Sequence, residues 1–286
     1  GGYGCIPWQS KQPSDSNSID PITDEDLQDL SEALLAADVN NVGNQVEVNL
    51  QGLTSTHGTD DAAPKPLLKV PESALSGPTF AVLVALQDNY IADVMTHEQD
   101  DQVKQQERSA FLNVIMATDI MKNTQKFLSD KGVISGELRS VLEEIWFTPY
   151  SRSTAGPLSS SGFEHNFVGE IKSGKVSGFH NWVYFAHEEK KINLNYQGHL
   201  HKSVSLSAKG QVMWPRFTWL TEPKPMGAIM VGTSPELELA LYTVCFLVRP
   251  NQKCPLLMNG QHFNVQTWVY EFDGKRLISG AYPESV

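Results

Sequence analysis

The sequence predicts an α+β protein with a mainly helical first half and a second half rich in antiparallel strands. Three observations predict it. Apolar residues recur at helical spacing in several stretches before residue 149, short runs of period-two alternation follow residue 162, and a stretch dense in Ser, Gly, Pro and Thr at 150–162 separates the two regimes. The expected organisation is a flexible lead-in at 1–20, a helical lobe at 21–149 and a sheet-rich lobe at 150–286.

Residues 1–20 are polar, with Trp8 as a local anchor. Thr23 then has the character of an N-cap: Asp24, Glu25 and Asp26 suit the positive end of a helix, and Leu27, Leu30 and Leu34 give it one apolar face, so a helix is expected over about 24–38. Similar patterning predicts helices over 78–95, around Phe80, Val84 and Leu86, and over 102–131, where Phe111, Val114, Ile115 and Met121 are core candidates and Gly132 is the stop. A short helix follows at 137–146. In the second half, Trp182, Tyr184, Ile192, Leu194, Tyr196, Val204, Leu206, Val212, Trp214, Phe217 and Trp219 alternate as strand residues do. One helix interrupts them, with Ser234 as cap, Pro235 at the first position and Glu236 and Glu238 in the first turn. The last strands, 263–272 and 276–282, meet across Asp273-Gly274, a pair suited to a tight hairpin.

With 286 residues, 40% of them hydrophobic, the chain can bury a substantial core. No apolar run reaches the roughly 18 residues a membrane helix requires, so no membrane association is expected. The opening Gly1-Gly2-Tyr3-Gly4-Cys5 has neither an initiator Met nor a signal-peptide profile, as in a processed chain whose original start is not seen. Cys5, Cys245 and Cys254 are too few and too scattered for a disulfide framework or a zinc cluster, and Cys245 reads as core. No Asn-x-Ser/Thr acceptor occurs, which leans toward an intracellular setting and leaves the compartment open. The net charge of −11 argues at first against a polyanionic partner. Yet the charge is uneven: 9 Lys and Arg stand against 23 Asp and Glu in residues 1–148, and 13 against 10 in residues 149–286, or −14 and +3. A polyanion would meet the second half.

Two similar stretches carry the candidate chemistry: Gly162-Phe-Glu-His-Asn-Phe-Val-Gly-Glu170 and Gly178-Phe-His-Asn-Trp182. Lys172-Ser173-Gly174-Lys175 between them reads as a hairpin tip, which would bring His165 and His180 to one cleft. Two imidazoles suit proton transfer at both ends of a phosphodiester displacement, because histidine titrates nearest neutrality. Cleavage by RNA's own 2′-hydroxyl needs a base, an acid and a positive charge, and two His with a Lys supply all three. Spacing alone also allows satisfied core or surface histidines.

These stretches, with Lys224-Pro-Met-Gly227, Gly232-Thr-Ser-Pro-Glu236, Ala281-Tyr282-Pro283 and, in the helical half, Leu86-Gln-Asp-Asn-Tyr90, resemble the EndoU endoribonucleases in order and interval over nearly everything after residue 20. The resemblance implies an EndoU-like fold and a monomer that cuts single-stranded, uridine-containing RNA, leaving 2′,3′-cyclic phosphate and 5′-hydroxyl ends. It implies His180 as general base, His165 as general acid and Lys224 as the stabilising charge. Tyr282 would lie by the uracil, with Trp182, Ser279 and Gly280 near it. The family often has Ser or Thr at the position of Gly280 and Ser at that of Ala228, so strict uridine selection is where this chain departs. The family carboxylates match Glu164 and Glu170, which either orient a neighbour or bind metal. The resemblance also implies stimulation by a divalent cation, Mn or Ca, with ligands unassigned; Glu98, Asp100 and Asp101 are further acidic candidates.

Other features carry less. His199 and His201 have the His-x-His spacing of metal sites but no third ligand at a matching distance, His187 reads as a solvated hairpin end, and Lys202, Lys209 and Arg216 read either as an RNA path or as solubilising charge. Two rival functions stand beside the nuclease. An RNA-binding relative without catalysis would bind and not cut. A metal-dependent hydrolase using Glu164, His165, Glu170 and His180 as ligands would also cut at 2′-deoxyuridine.

Overall fold

In the computed structural model of the chain, residues 21–285 are described; the expected lead-in, with Cys5 and Trp8, lies outside them. Thr23 closes a capping box on α1, Asp24–Ala36, its hydroxyl accepting the Asp26 amide at 3.1 Å while the Asp26 carboxylate accepts the Thr23 amide at 2.9 Å. A two-strand antiparallel pair, β1 (Glu47–Val48) with β2 (Leu68–Lys69), follows within the helical half. Helices α2 (Pro78–Gln87), α3 (Gln102–Met116), α4 (Asp119–Asp130) and α5 (Leu138–Phe147) complete it.

Two helices differ from expectation. The single helix expected over 102–131 is broken at Ala117 and Thr118, where the Thr118 hydroxyl donates to the Ile115 carbonyl at 2.6 Å and accepts the Met121 amide at 3.3 Å, capping a new helix. The helix expected to reach residue 95 stops at Gln87. Beyond it the chain turns out of the helix because its backbone is wanted elsewhere: the Ile171 amide donates to Ala92 at 2.7 Å, and the Val94 amide donates back to Ile171 at 3.2 Å.

The second half begins with a hairpin, β3 (Glu170–Lys172) and β4 (Lys175–Ser177), turning at the expected tip. Then come α6 (Trp182–Lys190), β5 (Leu194–His199), β6 (Val204–Ser205), β7 (Gln211–Met213), β8 (Pro215–Trp219), β9 (Glu222–Lys224), β10 (Ile229–Val231), α7 (Pro235–Val248), β11 (Lys253–Met258), β12 (Gln261–Phe272) and β13 (Lys275–Glu284). The larger sheets are antiparallel and have the orders β5-β8-β9, β10-β7-β6 and β11-β12-β13. Ser234 caps α7 as expected, accepting the Leu237 amide at 3.1 Å, and Asp273 and Gly274 take φ of 52° and 72° to turn the last hairpin.

Residues 182–190 are a correction, since their alternation predicted a strand and they form α6. The Asn181 carboxamide accepts the Tyr184 amide at 3.1 Å and starts the helix, and the inward residues Trp182, Val183 and Phe185, then Glu188 and Glu189, follow a helical face. His187 therefore sits in the last turn of a helix rather than at a hairpin end. Cys245 is buried as expected but is not free: it is bonded to Cys254, the turn after α7 bringing their Cα atoms to 5.6 Å. Arg216 is neither RNA path nor surface charge. Only 4% exposed, it donates to the carbonyls of Ser55, Gly58 and Asp60 and fastens the long loop at 49–66 to β8. Lys209 reaches the carbonyl end of α1, donating to Leu35 at 2.7 Å.

One apolar core runs through both halves, with α7 buried along nearly its whole length at the centre. The Trp146 indole ties α5 to it by donating to the Thr243 hydroxyl at 2.9 Å, and Ser31 of α1 bonds to Leu257 of β11 in both directions. No helix of the described residues is long and apolar enough to cross a membrane.

Replacing Arg216 with Met keeps most of the stem and strands three carbonyls. Thermal or urea unfolding of Arg216→Met is expected to show a loss of about 1–3 kcal/mol, the usual consequence of unpaired buried acceptors, with turnover per folded molecule unchanged. An unaltered unfolding midpoint would refute this role for the guanidinium.

Candidate active site

His165 sits on a five-residue π-helical turn, Glu164–Val168, whose flanking rings hold it in place. Phe163 and Phe167 stack on each other at 5.2 Å, and Phe163 stacks on Phe147 at 5.0 Å. The chain returns past this turn after β4. The Phe179 amide donates to the His165 carbonyl and the His180 amide to the Asn166 carbonyl, each at 2.8 Å, so the two His-Asn pairs lie backbone to backbone. Gly178 makes that approach possible: it has a φ of +74°, and a Cβ there would fall 1.9 Å from the His165 carbonyl oxygen. Phe179 also takes a positive φ, 70°, which is strained for a bulky residue, and it is held there by rings of Tyr184, Phe217 and Trp219 at 5.0–5.3 Å.

The histidine rings end with centroids 6.3 Å apart, and each is oriented by its Nδ1. His180 Nδ1 lies 2.9 Å from the Ala228 carbonyl, which can only accept, so Nδ1 carries the proton and Nε2 is left with a free lone pair. His165 Nδ1 lies 3.2 Å from Glu170 Oε1, and its Nε2 faces Gly280, where a Cβ would approach to 3.1 Å. Arg152 reaches the same Glu170 oxygen at 2.9 Å, so the carboxylate's charge is shared and does little to hold a proton on His165. Burial pushes both imidazoles well below the usual histidine range, with Arg152 and Lys224 adding to the effect at His165 and Lys224 at His180. Lys224, at the end of β9, is pulled down by burial to about 8.

His165, His180 and Lys224 line one cavity of about 510 Å³, closed by Trp214, Met226, Ala228, Lys253 and Tyr282. Tyr282 stacks on His180 at 5.1 Å, and its hydroxyl accepts the Trp268 indole N–H at 3.1 Å. The other residues expected at the base lie elsewhere. Trp182 is fully buried and donates to the Thr233 carbonyl at 2.8 Å, away from the cleft. Ser279 is turned toward Arg152, which donates to its hydroxyl at 3.3 Å and its carbonyl at 2.8 Å. Gly280 backs directly onto His165.

Glu170 thus orients His165. Glu164 is different: it is 1% exposed and faces Glu98 carboxyl to carboxyl, and burial together with Glu170 and Glu98 pushes it well above the usual carboxylate range. Glu98 accepts the Ile91 amide at 2.7 Å and the Lys104 ammonium at 3.1 Å. Among the described residues no group of three or more His, Cys, Asp or Glu could hold a metal ion, the His199 and His201 pair included. Sequence reasoning missed Arg152, Asn166 and Trp268. Arg152 was hidden in a loop of small polar residues, and the one available signal was the repeated Asn directly after each histidine. Asn166 clamps β13 through reciprocal bonds with Ala281, at 2.7 and 3.0 Å.

A cavity presenting two imidazoles and an ammonium has the groups that move protons and steady negative charge around a phosphodiester, as a ribonuclease requires. Known proteins agree with this class. The XendoU family, described as "Endoribonuclease XendoU", matches residues 26–283. Among curated relatives, uridylate-specific endoribonuclease EndoU of Drosophila melanogaster is 36% identical over 99% of this chain and 89% of its own length. Uridylate-specific endoribonuclease C of Xenopus laevis is 38% identical over 91% and 89%, and the Homo sapiens uridylate-specific endoribonuclease is 36% identical over 93% and 67%. A solved structure described as "The structure of XendoU: a splicing independent snoRNA processing endoribonuclease" superposes with a TM-score of 0.74 at 32% identity, covering 90% of this chain and 96% of that one. The chain belongs to the XendoU endoribonuclease family. Its α+β architecture is that of the family.

The depressed Lys224 gives a pH signature. Its ammonium charges the cleft only below about pH 8, so inorganic phosphate binding, measured by calorimetry, is expected to weaken as pH rises through about 8. In Lys224→Arg, whose guanidinium does not titrate there, that loss should vanish. Phosphate affinity in the unaltered chain that is flat from pH 7 to 9.5 would refute the shift.

Proposed function

We propose that this endoribonuclease cuts single-stranded RNA after uridines by attack of the 2′-hydroxyl on the adjacent phosphate, leaving a 2′,3′-cyclic phosphate and a 5′-hydroxyl. The observation that carries the reading is the pair of imidazoles, 6.3 Å apart, on one cavity with Lys224. His180 is the base: its Nε2 has the free lone pair that accepts the 2′-hydroxyl proton. His165 is the acid at the departing 5′-oxygen, its ring on the cavity wall and its Nδ1 steadied by Glu170. An incoming phosphodiester anion beside the rings favours the protonated imidazole that burial alone disfavours. Lys224 offsets the extra negative charge of the phosphorane. The uridylate-specific relatives support uridine as the base, with Tyr282 as the stacking face beside His180. Gly280 and Ala228 offer no side-chain hydroxyl to the uracil edge, so selection rests on stacking, cavity shape and backbone groups.

A divalent cation, Mn or Ca, stimulates the enzyme in this reading. The facing carboxyls of buried Glu164 and Glu98 would offer hard oxygens to a cation that displaced their shared proton, and carbonyl oxygens or water would complete the coordination. Bound there, the ion would neutralise a carboxylate beneath the His165 turn and firm that turn, apart from the scissile phosphate.

The test is an RNA oligonucleotide with a single uridine, and the same oligonucleotide with 2′-deoxyuridine, given to the intact chain, His180→Ala, Lys224→Ala and Glu164→Gln with EDTA, Mn or Ca. Mass analysis should find cyclic phosphate ends from the intact chain, at rates lower by about 10²–10⁴ in His180→Ala and about 10²–10³ in Lys224→Ala. Cleavage of the deoxy substrate would overturn the 2′-hydroxyl mechanism. Full activity in EDTA, or undiminished stimulation of Glu164→Gln, would overturn the cation's role. Binding without cleavage under every condition would leave an RNA-binding protein.

A further inference from the structure

Every residue lining the cavity comes from the second half of the chain, yet one side chain of the helical half reaches both histidine segments. Gln87, the last residue of α2, is 3% exposed, and its amide nitrogen donates to the Phe167 carbonyl at 2.8 Å and to the Asn181 side-chain oxygen at 2.9 Å. Phe167 lies two residues beyond His165 on the π-helical turn, and Asn181 directly follows His180. The turn ends at Gly169, so its last carbonyls have no continuing helix to bond them. Asn181 Oδ1 already accepts the Tyr184 amide as the cap of α6. A single nitrogen therefore spans the two segments that carry the imidazoles.

We propose that Gln87 is a positioning residue that fixes the separation and tilt of His165 relative to His180. The proposal rests on the acid and base roles assigned above. Proton removal at one oxygen and proton delivery at another must occur around one phosphate, so both rings must meet it at once, and a misplacement of about 1 Å between catalytic groups costs roughly 10²-fold in rate. The backbone bonds of Phe179 and His180 hold the two segments together but act as a hinge along one line. Gln87 adds a bond to each segment from a different element, the end of α2, and so restrains their rotation about that line. Its loss would leave two buried acceptors one donor short and let the segments rock, with the fold intact.

Gln87→Met keeps length and apolar volume and removes both donors; Gln87→Glu keeps the shape and sets acceptors against acceptors. Both are compared with the intact chain, His165→Ala and His180→Ala on two substrates: single-uridine RNA, which needs acid and base together, and uridine 3′-(4-nitrophenyl phosphate), whose leaving group departs unprotonated and needs the base alone. With near-ultraviolet circular dichroism confirming a native core, both Gln87 variants are expected to keep KM within about twofold and lose kcat on RNA by about 10–100-fold, while losing less than about threefold on the aryl ester. The aryl ester can follow a displaced base because no second group must be met. Equal losses on both substrates, or no loss on RNA in either folded variant, would overturn the proposal. If His165→Ala cuts RNA as fast as the intact chain, the acid assignment itself fails; if both histidine variants are impaired and the folded Gln87 variants are not, only the inference about Gln87 fails.

Discussion

The site depends on the backbone pairing of residues 165–166 with residues 179–180. Two hydrogen bonds of 2.8 Å bring together segments that a hairpin separates in sequence, and they do so only because Gly178 has no side chain where the His165 carbonyl must pass. A Cβ 1.9 Å from that oxygen is impossible, so any other residue would part the segments and the histidines with them. Everything else around the cleft serves this crossing. The stacked rings of Phe163 and Phe167 press the turn from one side, the cluster around Phe179 holds a strained residue from the other, and Asn166 ties the last strand, with Tyr282, to the same knot.

Burial gives the knot its chemistry. An imidazole in water is half charged near neutrality; in this cleft both are driven toward the neutral form, and the nearby Arg152 and Lys224 push the same way. In the proposed mechanism a neutral base is thereby ready, and the acid becomes charged when an anion enters. The arrangement ties protonation to substrate occupancy. The two histidines differ in what holds Nδ1, a carbonyl for His180 and a shared carboxylate for His165. The Glu170 carboxylate is shared with Arg152, so it orients the His165 ring more than it charges it.

The fold class and the residues that line the cleft were legible in the sequence, and much of the local architecture that positions them was not. His165, His180, Lys224 and Tyr282 stood in motifs, and the cap at Thr23, the helix after Ser234 and the Asp273-Gly274 turn followed from local propensities that tertiary contacts did not oppose. Residues 182–190 misled because Trp182 and Tyr184 alternate like strand residues while the cap at Asn181 decides the matter. The α2 helix was overrun because the pull on residues 92–94 comes from β3, far away in sequence. Arg152 and Gln87 act through partners 18 to 127 and 80 to 94 residues distant, and no local pattern encodes such contacts. Ser279, adjacent to a matched motif, was a reasonable guess whose side chain Arg152 turns away.

The acidity of the chain also takes on a different meaning once charges are placed. A net charge of −11 should repel RNA, but that figure counts every carboxylate as ionised. Glu164, Glu170, Glu236 and Glu238 are buried, and each is pushed toward the neutral form. Around the cleft the charged groups are Lys224 and Lys253, with Glu284 already paired to Lys253 at 3.6 Å. A polyanion approaching within a Debye length, about 8 Å at physiological salt, responds to those local charges and not to the sum. The carboxylate excess of residues 1–148 then acts as a border that disfavours a polyanion, while the cavity itself presents Lys224 and Lys253. Composition described the border, and only the fold reveals the opening in it.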